Sequence, residues 1–135
     1  MQLRFRSGFS FIDMMMYLSI MALSYHYAIP CYQQLIAKMR AQELIKVAQQ
    51  AQLQLNEEMI FKGILPDFLD LDALTSESIK EVSWNGDELE IHYHQEYHDD
   101  WILTLKPNSD KFGLKWECDF EGQAGIKPYL CYALT

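Results

Sequence analysis

The sequence is poor in the residues that build disulfide-rich, collagen-like or low-complexity chains. Its 135 residues include only 3 cysteines, 6 glycines and 4 prolines. Three cysteines cannot hold a dense disulfide scaffold, and so little glycine and proline excludes collagen-like chains. Because 50% of the residues are hydrophobic and 13% are aromatic, the composition also argues against disorder. We therefore expect one modest folded domain rather than a two-lobed enzyme.

Basic residues are scarce as well. Lys and Arg total 11 against 19 Asp and Glu, which gives a formal net charge of -8. The imbalance is concentrated in residues 63–135, where 15 acids face 5 bases, a local balance of -10. Such a surface repels phosphate backbones, so nucleic acid is not an expected partner.

Motifs of catalysis are absent from the sequence. It contains no Gly-rich phosphate loop, no nucleophile elbow and no His-Glu-x-x-His. Cys31, the thiol left over if the other two cysteines pair, lies in an apolar segment without a neighbouring base. We therefore expect neither an enzyme nor a bound cofactor.

The most distinctive feature is a 24-residue run without a formal charge, residues 14–37. As a helix it would be about 36 Å long, enough to cross the hydrocarbon core of a bilayer. Arg4 and Arg6 precede it, which places the N-terminus in the cytoplasm by the positive-inside rule. A secretory signal peptide is the alternative, but helical periodicity continues past Pro30 without a small-x-small cleavage site. The run therefore predicts a membrane-resident helix.

Asp13 is an anomaly at the start of this apolar segment. A carboxylate buried there without a partner costs several kcal/mol, so a partner or a function is expected. Two readings stay open from spacing alone. Asp13 either has a functional role, or it lies at headgroup depth as an early-turn acid that favours the helix dipole.

Two motifs at this end resemble those of type IV prepilins. A basic leader ending in Gly8 precedes Phe9-Ser-Phe-Ile-Asp13, which is similar to the family's Gly-Phe-Thr-Leu-Ile-Glu signal. Further on, Ala28-Ile-Pro-Cys-Tyr-Gln33 is similar to the family's Ala-Ile-Pro-x-Tyr-Gln, at the right distance from the cleavage point. The resemblance covers residues 1–50, and its main departure is Asp13 in place of Glu.

The resemblance implies a division of the chain and a processing scheme. Residues 1–8 would be the leader, 9–37 the hydrophobic transmembrane or filament-core half of a long helix, and 38–135 the globular head. Prepilin peptidase would cut after Gly8, and Phe9 would then carry an N-methylated amine. Asp13, one helical turn away, would neutralise that amine in the same or a neighbouring subunit.

Pro30 and Cys31 carry two smaller expectations. Pro30 should kink or locally melt the helix between residues 26 and 30, because it cannot donate a backbone hydrogen bond. Cys31 is expected to be either a small buried hydrophobe or one half of an intermolecular disulfide.

The rest of the sequence predicts an α+β head. An amphipathic pattern continues the helix to about Phe61, and Gly63 should end it. Residues 64–79 read as a loop with a helical turn near 67–74. Strands are expected at 82–84, 89–93, 101–105 and 112–118, with 107–110 as a separator. We expect a four-stranded antiparallel meander against one helix, with Leu89, Ile91 and Tyr93 facing it.

Cys118 and Cys131 enclose twelve residues near the C-terminus. The flanking sequences Lys-Trp-Glu-Cys and Lys-Pro-Tyr-Leu-Cys resemble the C-terminal disulfide loop of type IVa pilins. In an oxidising compartment the two cysteines should pair, whereas two buried free thiols are the alternative.

A histidine-rich stretch is the one candidate for metal binding. Glu90, His92 and His94 alternate on one strand face, and His98, Asp99 and Asp100 follow. A zinc or nickel site could use His92 and His94. We instead expect a solvated outer face and no metal.

These expectations combine into one function and two alternatives. The resemblance implies a structural pilus subunit, minor rather than major, that serves adhesion, twitching motility or DNA uptake. Its partners would be other pilin subunits, prepilin peptidase and the inner-membrane assembly platform. It would lie in the inner membrane with a periplasmic head before assembly, and in the extracellular pilus afterwards. The alternatives are a type II secretion pseudopilin, a group that usually lacks the terminal disulfide loop, and a membrane-tethered periplasmic metal- or ligand-binding protein.

Overall fold

A single long helix, α1, runs from Phe11 to Lys62 in this computed structural model. The structure describes residues 10–94, 100–110 and 113–135. The chain divides into two compact units, residues 1–36 and residues 37–135. The first unit contributes only α1 residues and Ser10 to the described part, and all other described elements lie in the second unit.

The second unit, which we call the head, is built on one stripe of α1. The buried residues of this stripe recur every three or four positions: Ala37, Ala41, Leu44, Ala48, Ala51 and Leu55. The sequence pattern predicted all of them except Ala37, and it also included Ile45 and Met59, which are half-buried. Small side chains dominate, so a sheet can approach the helix closely. Gly63 ends α1 as predicted, with a φ of 75° and its amide bonded 2.7 Å from the Met59 carbonyl.

Four antiparallel strands form the sheet, in the spatial order β1-β2-β3-β4. The strands are β1 Ile79–Trp84, β2 Leu89–Tyr93, β3 Trp101–Asp110 and β4 Gly113–Glu121. A 3-10 turn at Asp72–Leu74 interrupts the connection from α1, close to the predicted position. The predicted α+β meander against a long helix is therefore confirmed.

One face of the sheet packs on the α1 stripe in a continuous core. Leu89, Ile91 and Tyr93 point into this core as predicted, and Leu103 and Leu105 join them from β3. An aromatic group closes the end of the core, where Trp101 stacks edge-on against Phe120 at 5.5 Å between ring centroids.

The predicted separator at residues 107–110 is wrong, because β3 continues through it. Pro107 pairs with Trp116 of β4 in the β3–β4 ladder. On its other side, β3 pairs with β2 only as far as Leu105. Beyond that point β3 has an open edge, where the missing proline N–H can be tolerated.

A second helix, α2, spans Lys127–Leu134 and was not predicted. Its apolar side inserts Leu130 and Leu134 into the core, together with Ile126 just before the helix. The four-residue spacing of these three side chains, with Pro128 in the first helical turn, was a usable signal. The last part of the predicted disulfide loop is therefore a packed helix.

We predict that Gly122→Ala destabilises the head by about 3 kcal/mol, since overpacking forces rigid groups apart. A β-carbon at this position would lie 2.7 Å from ring atoms of both Phe120 and Trp101. Urea unfolding of the full chain in mild detergent, followed by tryptophan fluorescence, would measure the change.

The matched control is Gly125→Ala, where φ is +87° but nothing lies within 4 Å of the added carbon. This variant should lose only about 1 kcal/mol through backbone strain. A Gly122→Ala loss no larger than the control would show that the two rings yield to the added methyl group.

Candidate functional site

The most unusual surface of the molecule is the first part of α1. Every residue from 10 to 35 is exposed, although most of the side chains are large and apolar. The exposed apolar side chains are Phe11, Ile12, Met14, Met15, Met16, Tyr17, Leu18, Ile20, Met21, Leu23, Tyr25, Tyr27, Ile29, Tyr32 and Leu35. A soluble monomer rarely shows an apolar patch of this extent, so the surface indicates a site of interaction.

Two serine hydroxyls in this segment form hydrogen bonds to backbone carbonyls of the same helix. The hydroxyl of Ser19 donates to the Met15 carbonyl at 2.8 Å, and that of Ser24 donates to the Ile20 carbonyl at the same distance. Such bonds satisfy the hydroxyl donor within the helix itself.

An open apolar groove of about 400 Å³ is lined by Phe11, Ile12, Met15, Met16, Ser19 and Ile20.

The prediction that residues 14–37 form a membrane-spanning helix fails on hydropathy. None of the helices in the described parts of the chain is sufficiently long and apolar to cross a membrane. The membrane-helix prediction rested on the absence of formally charged residues. Ser19, Ser24, His26, Gln33 and Gln34 are uncharged but polar, and they lower the mean hydropathy of the run.

Pro30 does not melt the helix, which excludes one of its two predicted effects, whereas the kink stays a prediction. Residues 26–30 are helical and α1 continues without interruption on both sides. A proline removes the hydrogen bond of its own nitrogen, and its ring crowds the carbonyl of the residue four positions before it. Because this segment is exposed, the carbonyl left without that donor can be solvated.

The predicted processing residues and Asp13 have different outcomes. Gly8 and Phe9 lie outside the described residues. Asp13 lies in the first turn of α1 and is exposed. No hydrogen bond or ion pair joins its carboxylate to another residue of the described ranges, so its proposed pairing with the Phe9 amine stays a prediction.

Cys31 is a free, exposed thiol rather than the buried small hydrophobe that was one of its two predicted states. Its position on α1 explains this, since the whole segment around it is exposed. An intermolecular bond through Cys31 stays a prediction.

Cys118 and Cys131 form the predicted disulfide, with their Cα atoms 5.4 Å apart. The bond ties β4 to α2, the helix that covers one end of the core. A second link lies beside it, because Lys127 Nζ donates to Asp119 Oδ1 at 2.6 Å. This bond, with that of the Phe120 amide, lowers the pKa of Asp119 and keeps its carboxylate charged.

The outer face of the sheet, opposite α1, carries the predicted histidine-rich stretch. His92 Nε2 lies 3.9 Å from Glu90 Oε2, whereas His94 Nδ1 contacts Asp100 Oδ1 at 2.8 Å. The two imidazoles thus have different carboxylate neighbours. Across the described residues, no group of three potential ligands is arranged to hold a metal ion. His98 and Asp99, which also belonged to the candidate cluster, lie outside those residues.

Sequence reasoning missed a second exposed apolar surface, where α1 ends. Ile60, Phe61, Ile64 and Phe68 are 81%, 80%, 71% and 78% exposed. The usable signal was the density of large apolar residues across a helix stop, at positions where a connecting segment is normally polar.

Comparisons of the chain with family models, with curated proteins and with solved structures find no match.

Replacing both Cys118 and Cys131 with serine should lower the free energy of unfolding by about 3 kcal/mol, since the unfolded chain is no longer cross-linked. The change can be measured by urea unfolding of the full chain in mild detergent. Cys31→Ser is the matched control, because this thiol is unpaired and exposed. It should stay within about 0.5 kcal/mol of the unchanged chain. Equal losses in the two variants would contradict a structural role for the bond.

Proposed function

We propose that this chain is a structural subunit of a type IV pilus or a closely similar filament. In this proposal, residues 9–37 pack against the same segments of neighbouring subunits and form the filament core. The head, residues 38–135, lies in the periplasm before assembly and on the filament surface afterwards. Prepilin peptidase would remove residues 1–8, and an inner-membrane platform would assemble the mature chain.

The observation that carries the proposal is the exposure of the apolar part of α1. Residues 10–35 are exposed as far as the structure describes the chain, yet they present large apolar side chains on all sides of the helix. Burial of apolar surface gains about 25 cal/mol per Å². A helix that is apolar all round is normally buried on all sides, and a bundle of identical helices would bury it in that way.

Two features of the head support the same function. The arrangement of one long helix, a four-stranded antiparallel meander and a C-terminal disulfide is consistent with a pilin-like fold. The disulfide fits an oxidising compartment, which is where the head of a pilus subunit resides.

The details favour a pilus subunit over the alternatives. A secretion pseudopilin usually lacks a terminal disulfide, whereas Cys118 and Cys131 are bonded here. Asp13 in place of Glu and the polar residues within the apolar run favour a minor subunit over the major one. The acidic head speaks against DNA uptake and leaves adhesion or motility as the activity of the filament.

We predict that Asp13→Ala reduces incorporation into filaments at least tenfold, because the Phe9 amine would enter an apolar core without a counter-charge. Asp13→Glu should assemble at least as well as the unchanged chain. Immunoblotting of filaments sheared from cells, relative to total cellular protein, would measure incorporation.

Mass spectrometry of the N-terminal peptide of the membrane-associated protein is the control for processing. Asp13→Ala, Asp13→Glu and the unchanged chain should all begin at Phe9 after cleavage behind Gly8. Equal incorporation of Asp13→Ala would reject the counter-charge role. A mature protein that still begins at Met1, or that is cut near Ala28, would reject the pilus proposal itself.

A further inference from the structure

The exposed apolar side chains at the end of α1 lie in an acidic setting. We call Ile60, Phe61, Ile64 and Phe68 the end patch. Around it, Glu57, Asp67, Asp70 and Asp72 are exposed. Lys62 is the one base between residues 57 and 72, and it pairs with Glu58 four residues before it. The end patch is thus apolar and belongs to a stretch of chain in which the exposed acids outnumber the bases.

A surface of the opposite character occurs earlier on α1, within the head. Lys38, Met39 and Lys46 are exposed, and Arg40 is half-buried. We call these four residues the basic segment. The single acid between them, Glu43, is half-buried and accepts a hydrogen bond from Ser76 at 3.3 Å. The basic segment thus combines three bases with one exposed apolar side chain, that of Met39, which is 62% exposed.

One residue of each surface, Met39 and Ile60, can be compared by its angle around the helix. Met39, Lys46, Leu53 and Ile60 are spaced by seven residues, so each lies about 20° from the one before, and Met39 and Ile60 differ by about 60°. All four are exposed, and Leu53 is 67% exposed. Met39 and Ile60 are 21 residues apart, about 31 Å along a straight helix, so the two surfaces cannot meet within one chain.

We propose that the end patch of one copy docks on the basic segment of a second copy. The apolar side chains would be buried against Met39, and Asp67 and Asp70 would approach Lys38 and Lys46. The contact is heterologous, since two different surfaces meet. Each copy would therefore keep one free surface of each kind, and docking could repeat without closing.

A second copy is the occupant that the charges favour. The end patch would repel another end patch, because the exposed acids outnumber the bases in both stretches, and the head as a whole is acidic. Within α1, the basic segment is the complementary surface, and it also offers apolar contact. This inference rests on the proposed filament function, because a repeating contact of this kind requires copies stacked with an axial offset.

Disulfide cross-linking of the full chain in its own cells tests the contact. The free thiol is first removed with Cys31→Ser, and Met39→Cys is then combined with Ile60→Cys. An intramolecular bond is excluded by the separation of the two positions. The double variant should give a ladder of covalent multimers, whereas each single variant should stay monomeric. Ile60→Cys with Lys106→Cys is the matched control, since Lys106 is an exposed base on the outer face of the sheet.

Charge exchange tests the recognition within the same cross-linking pair. Lys38→Glu with Lys46→Glu should reduce the ladder at least tenfold. Adding Asp67→Lys with Asp70→Lys should restore it, because the opposite charges again face each other. Raising the salt concentration to about 1 M should weaken the ladder of the unmodified charges, since exposed pairs are screened.

The outcomes separate this contact from the filament function. Sheared filaments without a Met39–Ile60 ladder above the control would overturn the contact and leave the filament standing. A dimer from Ile60→Cys alone would also overturn it, since like surfaces would then meet. A ladder without filaments would support the contact and reject the filament, and the absence of both would reject the two proposals together.

Discussion

The packing of a small-residue stripe of α1 against the sheet is the interaction on which the head depends. Ala41, Ala48 and Ala51 leave room for the sheet, while Leu44 and Leu55 fill the space between. The core is continuous from this stripe to the aromatic group at Trp101 and Phe120. Because the stripe ends at Leu55 and begins at Ala37, it defines which part of the helix belongs to the head.

The residues of α1 before Ala37 differ from this stripe. Residues 10–35 carry large apolar side chains like those of a buried element, but they are exposed in the structure. The proposed filament would bury these side chains between subunits. The disulfide between Cys118 and Cys131 stabilises a different part of the head. It holds α2 against the core, which consists of only one layer of helix and one layer of sheet.

Much of the head could be predicted from local pattern. The α1 stripe, the Gly63 stop and the alternation in β2 each have a short-range signal, and the structure bears out the elements they predict. The disulfide required more, because spacing permits a bond between Cys118 and Cys131 but the pairing depends on β4 and α2 meeting.

The misses came from features set by neighbours. Pro107 predicts the end of a strand, yet it lies within β3, at a position that pairs with β4 but not with β2. Pro30 predicts a kink or a local melt, and the structure excludes the melt, since α1 continues through it. The lack of charge at residues 14–37 predicted a membrane-spanning helix, whereas membrane insertion depends on mean hydropathy. The exposure of Ile60 and Phe68 depends on where the core ends, although the density of large apolar residues across the helix stop was a local signal for it.

The reactivity of Cys31 tests the central claim most directly, because this free thiol lies within the apolar part of α1. A bulky water-soluble maleimide should label Cys31 in detergent-dispersed chains, where the segment is exposed. In intact sheared filaments the same thiol should be protected at least tenfold, and dissociation in detergent should restore labelling. Equal labelling of Cys31 in filaments and in dispersed chains would contradict the burial of this segment between subunits.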